Sequence, residues 1–332
     1  MGETIDFEQF DVVSDNTDHH FARLNKKNET SDASSDCFTN ESSDVYRRIM
    51  KEWKILAHNL PETIYVRVYE NRVDLLRAMI VGVAGTPYHD GLFCFDIAFP
   101  PDYPNHPPKI HYCSYGLYIN PNLYRNGKVC LSLINTWQGN KNEKWDPSRS
   151  TILQLLVSLQ GLVLNDMPYF NEAGLEIFGR GMYEKRARAY NEYAFAHSCK
   201  SMLCLLQRPP QNFQGLVVAH FRSRGRAVLV ACNDYANGRV RVGLYSETNE
   251  PPLTSCEKVS EKFKDWMHVL YPRLFSAFIQ CGASLETGVE HLSIINESPK
   301  NMGNGKYKVI VKKVVGKIRK IYASTLKTRV KN

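Results

Sequence analysis

The spacing of apolar and polar positions changes period twice along this chain. Ser43-Asp44 offers a helix N-cap, and Ile49, Trp53 and Leu56 then recur at helical spacing to about Ala57, while Arg47, Arg48, Lys51 and Lys54 crowd the other faces. From Ile64 the period is two. Ile64, Val66 and Val68 alternate with polar neighbours, Leu75–Val83 is a second apolar run, and Phe93, Phe95, Ile97 and Phe99 alternate in a third. Lys109–Cys113 predicts a fourth strand beyond a proline cluster, and the short connections favour an antiparallel meander over crossovers. After Ser150 the helical period returns in Ile152, Leu155, Leu156, Leu159 and Leu162–Leu164. A further helix over about Gly181–Leu206 stops before Pro209-Pro210.

Two flanking regions depart from this pattern. Residues 1–44 are rich in Ser, Asp, Asn and Thr without sustained periodicity, which predicts a largely disordered head in which a short stretch such as Phe7–Val13 can still dock on a partner. Residues 209–300 read as a mainly helical extension, carried by Phe213–Val230 and Ser260–Gly282 around the Pro251-Pro252 loop. In the tail, 301–332, Ile310, Val314, Ile318 and Tyr322 stand at helical spacing, but β-branched residues make a poor isolated helix. The expected organisation is therefore an α+β core over 45–208, with a disordered acidic head before it and a helical extension and basic tail after it.

Charge sharpens those boundaries. The net +8 divides into eleven acidic against three basic residues up to Asp44, and ten basic against no acidic residues from Gly305 onward. A basic tail of this kind suits solubility, an acidic membrane surface or an import receptor; sparse aromatics and no nucleic-acid fold count against RNA or DNA. With 43% hydrophobic residues the chain can bury one large core and a smaller second one. No window approaches the roughly 18 apolar residues of a membrane span, and no basic-then-apolar leader is visible. Nine irregularly spaced cysteines, without paired Cys-x-x-Cys motifs, argue against a disulfide framework or a zinc site and for a cytoplasmic or nuclear setting.

Three strings, in order, carry candidate chemistry. They are GTPYHDGLFCFDIAFPPDYPNHPPKI (Gly85–Ile110), NPNLYRNGKVCLSLINTW (Asn120–Trp137) and KWDPSRSTILQLLVSLQGLVLNDMPYFNEAG (Lys144–Gly174). Together they resemble the ubiquitin-conjugating (E2) family, whose fold is an N-terminal helix, a four-stranded antiparallel meander and C-terminal helices. The Asn-Pro-Asn tripeptide, the insertion after the cysteine and the PYFNE ending are similar to the large-E2 branch, which includes the hybrid E2/E3 ligases and the plant phosphate-homeostasis group.

The resemblance implies roles. Cys130, eight residues after Asn122, would carry ubiquitin as a thioester; a thiolate attacks thioesters well and leaves readily when an amine attacks. Asn122 would steady the oxyanion or the loop around it, with Pro121 fixing the turn. Glu172, with Asp166 as the alternative, would orient or help deprotonate the incoming lysine. Arg47, Arg48, Lys51 and Lys54 would dock the activating enzyme or simply be solvated. The nearest histidine in sequence, His111, is nineteen residues from Cys130, which argues against a papain-like protease.

Ubiquitin, the activating enzyme, ligases and protein substrates are the implied partners. No metal or cofactor is expected, since ATP is consumed by the activating enzyme. Departures from the family are Asn120 for its usual His, and Asn105 and Ser148 where apolar residues often receive ligases. The insertion Asn135–Lys144 is placed to offer substrate contacts instead. Cys94 and Cys113 are assigned to core strands, Cys199 and Cys204 to a helix face, and Trp137 and Trp145 to packing. The rival readings are a non-catalytic E2-like scaffold and a carrier of another ubiquitin-like protein.

Overall fold

Alternating strands and amphipathic helices assemble as the periodicity requires, with one addition at the N-terminal side. The computed structural model describes residues 7–25, 36–137, 139–172, 175, 183–244 and 258–285. The basic tail 301–332, the Pro251-Pro252 loop and residues 1–6 and 26–35 of the head lie outside the described residues. Two compact units are present, the first spanning residues 6–217 and the second containing the described residues from 218 onward.

In the first unit, helices α1 (His20–Asn25) and α2 (Asp36–Thr39) are short, and α3 (Asp44–Asn59) is the predicted first long helix. Ser43 caps α3, its hydroxyl accepting from the Tyr46 N–H at 3.0 Å. Strands β2 (Ile64–Tyr69), β3 (Arg72–Val81), β4 (Leu92–Ala98) and β5 (Lys109–Tyr112) form the antiparallel meander in sequence order. A capping box at Thr151 and Gln154 opens α4 (Ile152–Ser158), which ends in a wider turn over Leu159–Val163. Helix α5 (Glu184–Gln207) closes the layer.

One face of the sheet, with Val66, Ala78, Phe95 and Ile97, packs against Ile49 and Leu56 of α3 and Leu155 and Leu156 of α4. Each such aliphatic side chain taken from water contributes about 1.5–3 kcal/mol. Between the two helices lies a buried carboxylate. Glu52 accepts from the Tyr103 hydroxyl at 2.9 Å and from the Ile152 N–H at 3.0 Å, so it also caps the start of α4. Burial raises its pKa despite those bonds.

The structure corrects two expectations. The sheet has five strands, because β1 (Phe10–Val13) pairs parallel to β2 at its open edge. Residues 7–25 are accordingly not disordered: they cover the second face of the sheet, where Ala22, Val13 and Phe21 pack on Tyr69, Leu75 and Ala98 beside a group of buried charges. Arg77 is 1% exposed and binds both oxygens of Asp96, at 2.5 and 3.0 Å, and Asp18 at 2.6 Å. The His20 N–H adds a bond to Asp96 at 2.8 Å. Arg67 lies against the rings of both Phe7 and Phe213, 4.4 and 5.2 Å from their centroids. A polar head folds here because buried ions on the sheet need its polar groups, a demand that its own composition does not reveal.

In the second unit, the greater part of α6 (Gln214–Ala236) packs on α7 (Glu261–Gln280). Phe221 stacks on Phe278 with centroids 5.6 Å apart, and Gly225 permits the approach, since a Cβ there would meet Phe278 at 2.9 Å. Ser260 caps α7 and Gly282 ends it at φ +83°. No helix among the described residues is long and apolar enough to cross a membrane.

Candidate active site

Cys130 ends a narrow hairpin that begins at Asn120. Leu123 and Val129 are buried and bridge one another, which pins both arms to the core. The tip turns over Tyr124–Gly127, with the Gly127 N–H donating to the Tyr124 carbonyl at 3.0 Å. Gly127 holds φ +85° against the His111 ring, where a Cβ would fall 2.0 Å from a ring atom, so the turn requires glycine on two counts.

Asn122 brackets the cysteine. The Cys130 N–H donates to the Asn122 carbonyl at 2.9 Å, and the Asn122 side-chain amide donates to the Cys130 carbonyl at 3.0 Å. The amide donor is thus occupied by the backbone at Cys130. Of the two roles raised for Asn122, the geometry supports the loop.

Behind it, Asn120 is fully buried and saturated. Its Oδ1 accepts from the Asn122 N–H at 2.8 Å, and its Nδ2 donates to the Tyr88 hydroxyl at 2.9 Å and the Val163 carbonyl at 2.6 Å. Asn171 reaches the same carbonyl at 3.0 Å and is itself held by Asn165. An amide thus fills the position with two donors and an acceptor, each with a partner. Tyr88 and Asn171 were not singled out from the sequence; only the PYFNE string pointed toward the latter.

Tyrosines surround the thiol. Cys130 is 3% exposed and neighbours the Tyr124 hydroxyl, whose pKa is raised first by the electrostatic influence of Cys130 and then by burial. Tyr118 meets Tyr124 edge-on at 6.2 Å, and burial together with the Glu172 carboxylate pushes its hydroxyl up to about 12. Glu172 is exposed and acts electrostatically on Tyr118, Tyr124 and Tyr190. Asp166 is tied into its own loop through its backbone carbonyl, which accepts from Asn191 at 2.8 Å. Glu172 thus acts on the tyrosines that neighbour Cys130.

On the other side of the nucleophile, the Thr136 hydroxyl accepts from the Leu131 N–H at 3.0 Å and folds the chain back. The insertion closes on itself through a capping box at Asn140 and Glu143. An open groove of about 750 Å³ separates Leu131–Leu133 and Asn142–Lys144 from Gln154 and Leu162. Trp145 is buried, and its indole N–H donates to the Pro104 carbonyl at 2.6 Å, joining the two loops on which Asn105 and Ser148 stand exposed. Trp137 is half-buried. Bonds from Ser148 and Arg149 hold the Asp146 pKa at about 2.

The basic face of α3 divides. Arg47, Lys51 and Lys54 are exposed, whereas Arg48 donates to the Ser150 carbonyl at 3.0 Å and faces Glu52 at 3.4 Å. Cys94, Asp96 and Cys113 bring ligand-type atoms within 4.8 Å of one another. Both Asp96 oxygens already bind Arg77, whose positive charge stands where a cation would sit.

A model of the family described as ubiquitin-conjugating enzyme matches residues 48–197. The chain is similar to the probable ubiquitin-conjugating enzyme E2 24 of Arabidopsis thaliana, 48% identical across 83% of this chain but only 29% of that protein. It is 42% identical to the putative ubiquitin-conjugating enzyme E2 38 of the same plant, over 83% of this chain and 82% of the relative. The human dual E2 ubiquitin-conjugating enzyme/E3 ubiquitin-protein ligase BIRC6 is 33% identical over 70% of this chain and 5% of its own length. The chain thus spans less than a third of E2 24 and most of E2 38.

Proposed function

The chain belongs to the ubiquitin-conjugating enzyme family, and from that premise we propose that it is an active E2 carrying ubiquitin on Cys130. The observation that carries the reading is the placement of a free cysteine, bracketed by Asn122 and neighboured by Tyr124, on the matched domain. The Cys130 thiolate attacks the ubiquitin thioester on the activating enzyme, whose own thiolate leaves. In the second step a lysine amine attacks the new thioester; its nitrogen bonds to the carbonyl carbon as the C–S bond breaks and Cys130 departs as thiolate. Glu172 attracts the amine and takes its proton or passes it to solvent. Asn122 keeps the hairpin in place while the carbonyl changes geometry.

Arg47, Lys51 and Lys54 form the docking face for the activating enzyme, and Arg48 serves the interior instead. Ligases and protein substrates are the further partners. ATP is spent by the activating enzyme, and this chain uses no cofactor of its own. A cytoplasmic or nuclear setting fits the free thiols.

The test incubates the full chain with activating enzyme, ATP and ubiquitin. A thiol-sensitive adduct that discharges onto lysine is expected. No adduct would establish the scaffold reading, and charging only by another ubiquitin-like protein would establish the alternative carrier.

A further inference from the structure

One backbone carbonyl joins the two halves of the site. Helix α4 ends in the wide turn over Leu159–Val163, and the last carbonyls of such a turn lack donors within it. That of Val163 accepts from two side-chain amides, Asn120 at 2.6 Å and Asn171 at 3.0 Å. The two amides also meet, with Asn171 Nδ2 3.4 Å from Asn120 Oδ1. Toward the nucleophile, Asn120 Oδ1 accepts from the Asn122 N–H at 2.8 Å, and the Asn122 amide donates to the Cys130 carbonyl at 3.0 Å. On the other side, Asn171 Oδ1 accepts from Asn165 at 2.6 Å, and the same Asn165 amide donates to the Leu162 carbonyl at 2.8 Å. Asn171 is the last residue of the short turn Pro168–Asn171, and the exposed Glu172 follows it with extended backbone. The backbone that Asn171 anchors therefore sets where the Glu172 carboxylate can reach.

We infer that Asn171 is a positioning residue for the second transfer step, fixing the loop that bears Glu172 against the hairpin that bears Cys130. The inference rests on the proposed carrier function and on the role of Glu172 in it. Without the Asn171 amide, Asn120 still holds Val163 and Asn122, so the hairpin keeps its bonds while the loop loses its tie to them. The consequence falls on proton removal. A lysine amine is protonated at neutral pH and needs a base within reach, whereas hydroxylamine is already neutral and attacks without one. Displacing a catalytic group by about 1 Å costs roughly tenfold to a hundredfold in rate, and an exposed carboxylate belongs at the lower end.

The experiment charges the full chain with ubiquitin, quenches the activating enzyme, and follows single-turnover discharge to free lysine and to hydroxylamine. Only charged molecules are counted, and each protein is scored by its lysine-to-hydroxylamine ratio, so a partial loss of folding does not mimic the effect. Asn171→Ala should lower that ratio about tenfold at neutral pH, and the deficit should shrink as pH rises and more of the lysine is neutral. Glu172→Ala should lower it similarly. Asn171→Ala/Glu172→Ala should be no slower than Glu172→Ala, because Asn171 acts through that carboxylate. An unchanged ratio in Asn171→Ala, equal slowing with both amines, a deficit that ignores pH, losses that multiply in the double variant, or an Asn171→Ala chain that cannot be charged would each overturn this inference and leave the carrier function standing. An unchanged ratio in Glu172→Ala removes the role of that carboxylate and this inference with it. Failure of the unaltered chain to charge overturns the carrier function instead.

Discussion

Replacing Asn122 with alanine separates the two tasks assigned to that side chain. The change deletes the 3.0 Å bond to the Cys130 carbonyl but leaves the backbone bond from the Cys130 N–H intact. Both residues are buried, at 7% and 3% exposure, so water reaches the orphaned carbonyl poorly. The net value of the bond is about 1 kcal/mol, and leaving a buried acceptor unpaired raises the total to about 1–3 kcal/mol. In a unit of this size each kcal/mol lowers the melting temperature by roughly 2–4 °C, which predicts a loss of about 2–12 °C. Thermal unfolding of the full chain measures the loss, and single-turnover charging and discharge measure the chemistry. A loop anchor predicts that stability falls and that both transfer steps slow. An oxyanion donor would cost about 10²–10³ in the discharge rate alone. Unchanged stability together with a discharge defect of that size would refute the loop assignment.

Three other changes probe the surrounding structure. Arg77→Met should cost about 3–5 kcal/mol in urea unfolding by leaving Asp96 buried and unpaired, and Arg77→Met/Asp96→Leu should recover most of it. A single variant at wild-type stability would contradict the buried network. Gly127→Ala adds left-handed strain of about 1–2 kcal/mol and a clash with His111, so charging on Cys130 should fall along with stability. Burial, with the neighbouring His20, lowers the His111 pKa to about 4, so the native state keeps this ring neutral while the unfolded chain protonates near 6.5. Stability from this group is present above 6.5 and is lost as pH falls toward 4, by on the order of 1 kcal/mol after solvent screening. His111→Phe should flatten that slope, and an identical pH profile would remove His111 as its source.

Where burial followed sequence period, the fold was legible. Ser43 and the Ile49, Trp53, Leu56 spacing located α3, and alternation in Phe93–Phe99 located β4. The second face of the sheet was not legible, because strand alternation alone does not distinguish a buried Arg67, Arg77 or Asp96 from a solvated one. Their burial depends on Asp18, His20 and Phe7, which lie far away in a segment with no periodicity of its own. The site shows the same division. Cys130, Asn122 and Glu172 stood within strings that could be compared with a family. The Asn120 hub joins Tyr88, Val163 and Asn171 across separations of 32, 43 and 51 residues. Such bonds leave no local spacing to read. Arg48 shows the converse, a residue that shares its helix face with docking candidates but turns inward to Ser150.

The central claim is that Cys130 is the atom-bearing residue of the transfer, and two substitutions in the full chain test it together. With activating enzyme, ATP and ubiquitin, Cys130→Ser should trap an ester that survives thiol and is cleaved by hydroxide, while Cys130→Ala should form no adduct. A thiol-labile adduct that persists in Cys130→Ala would contradict the account, because another of the cysteines would then be the carrier.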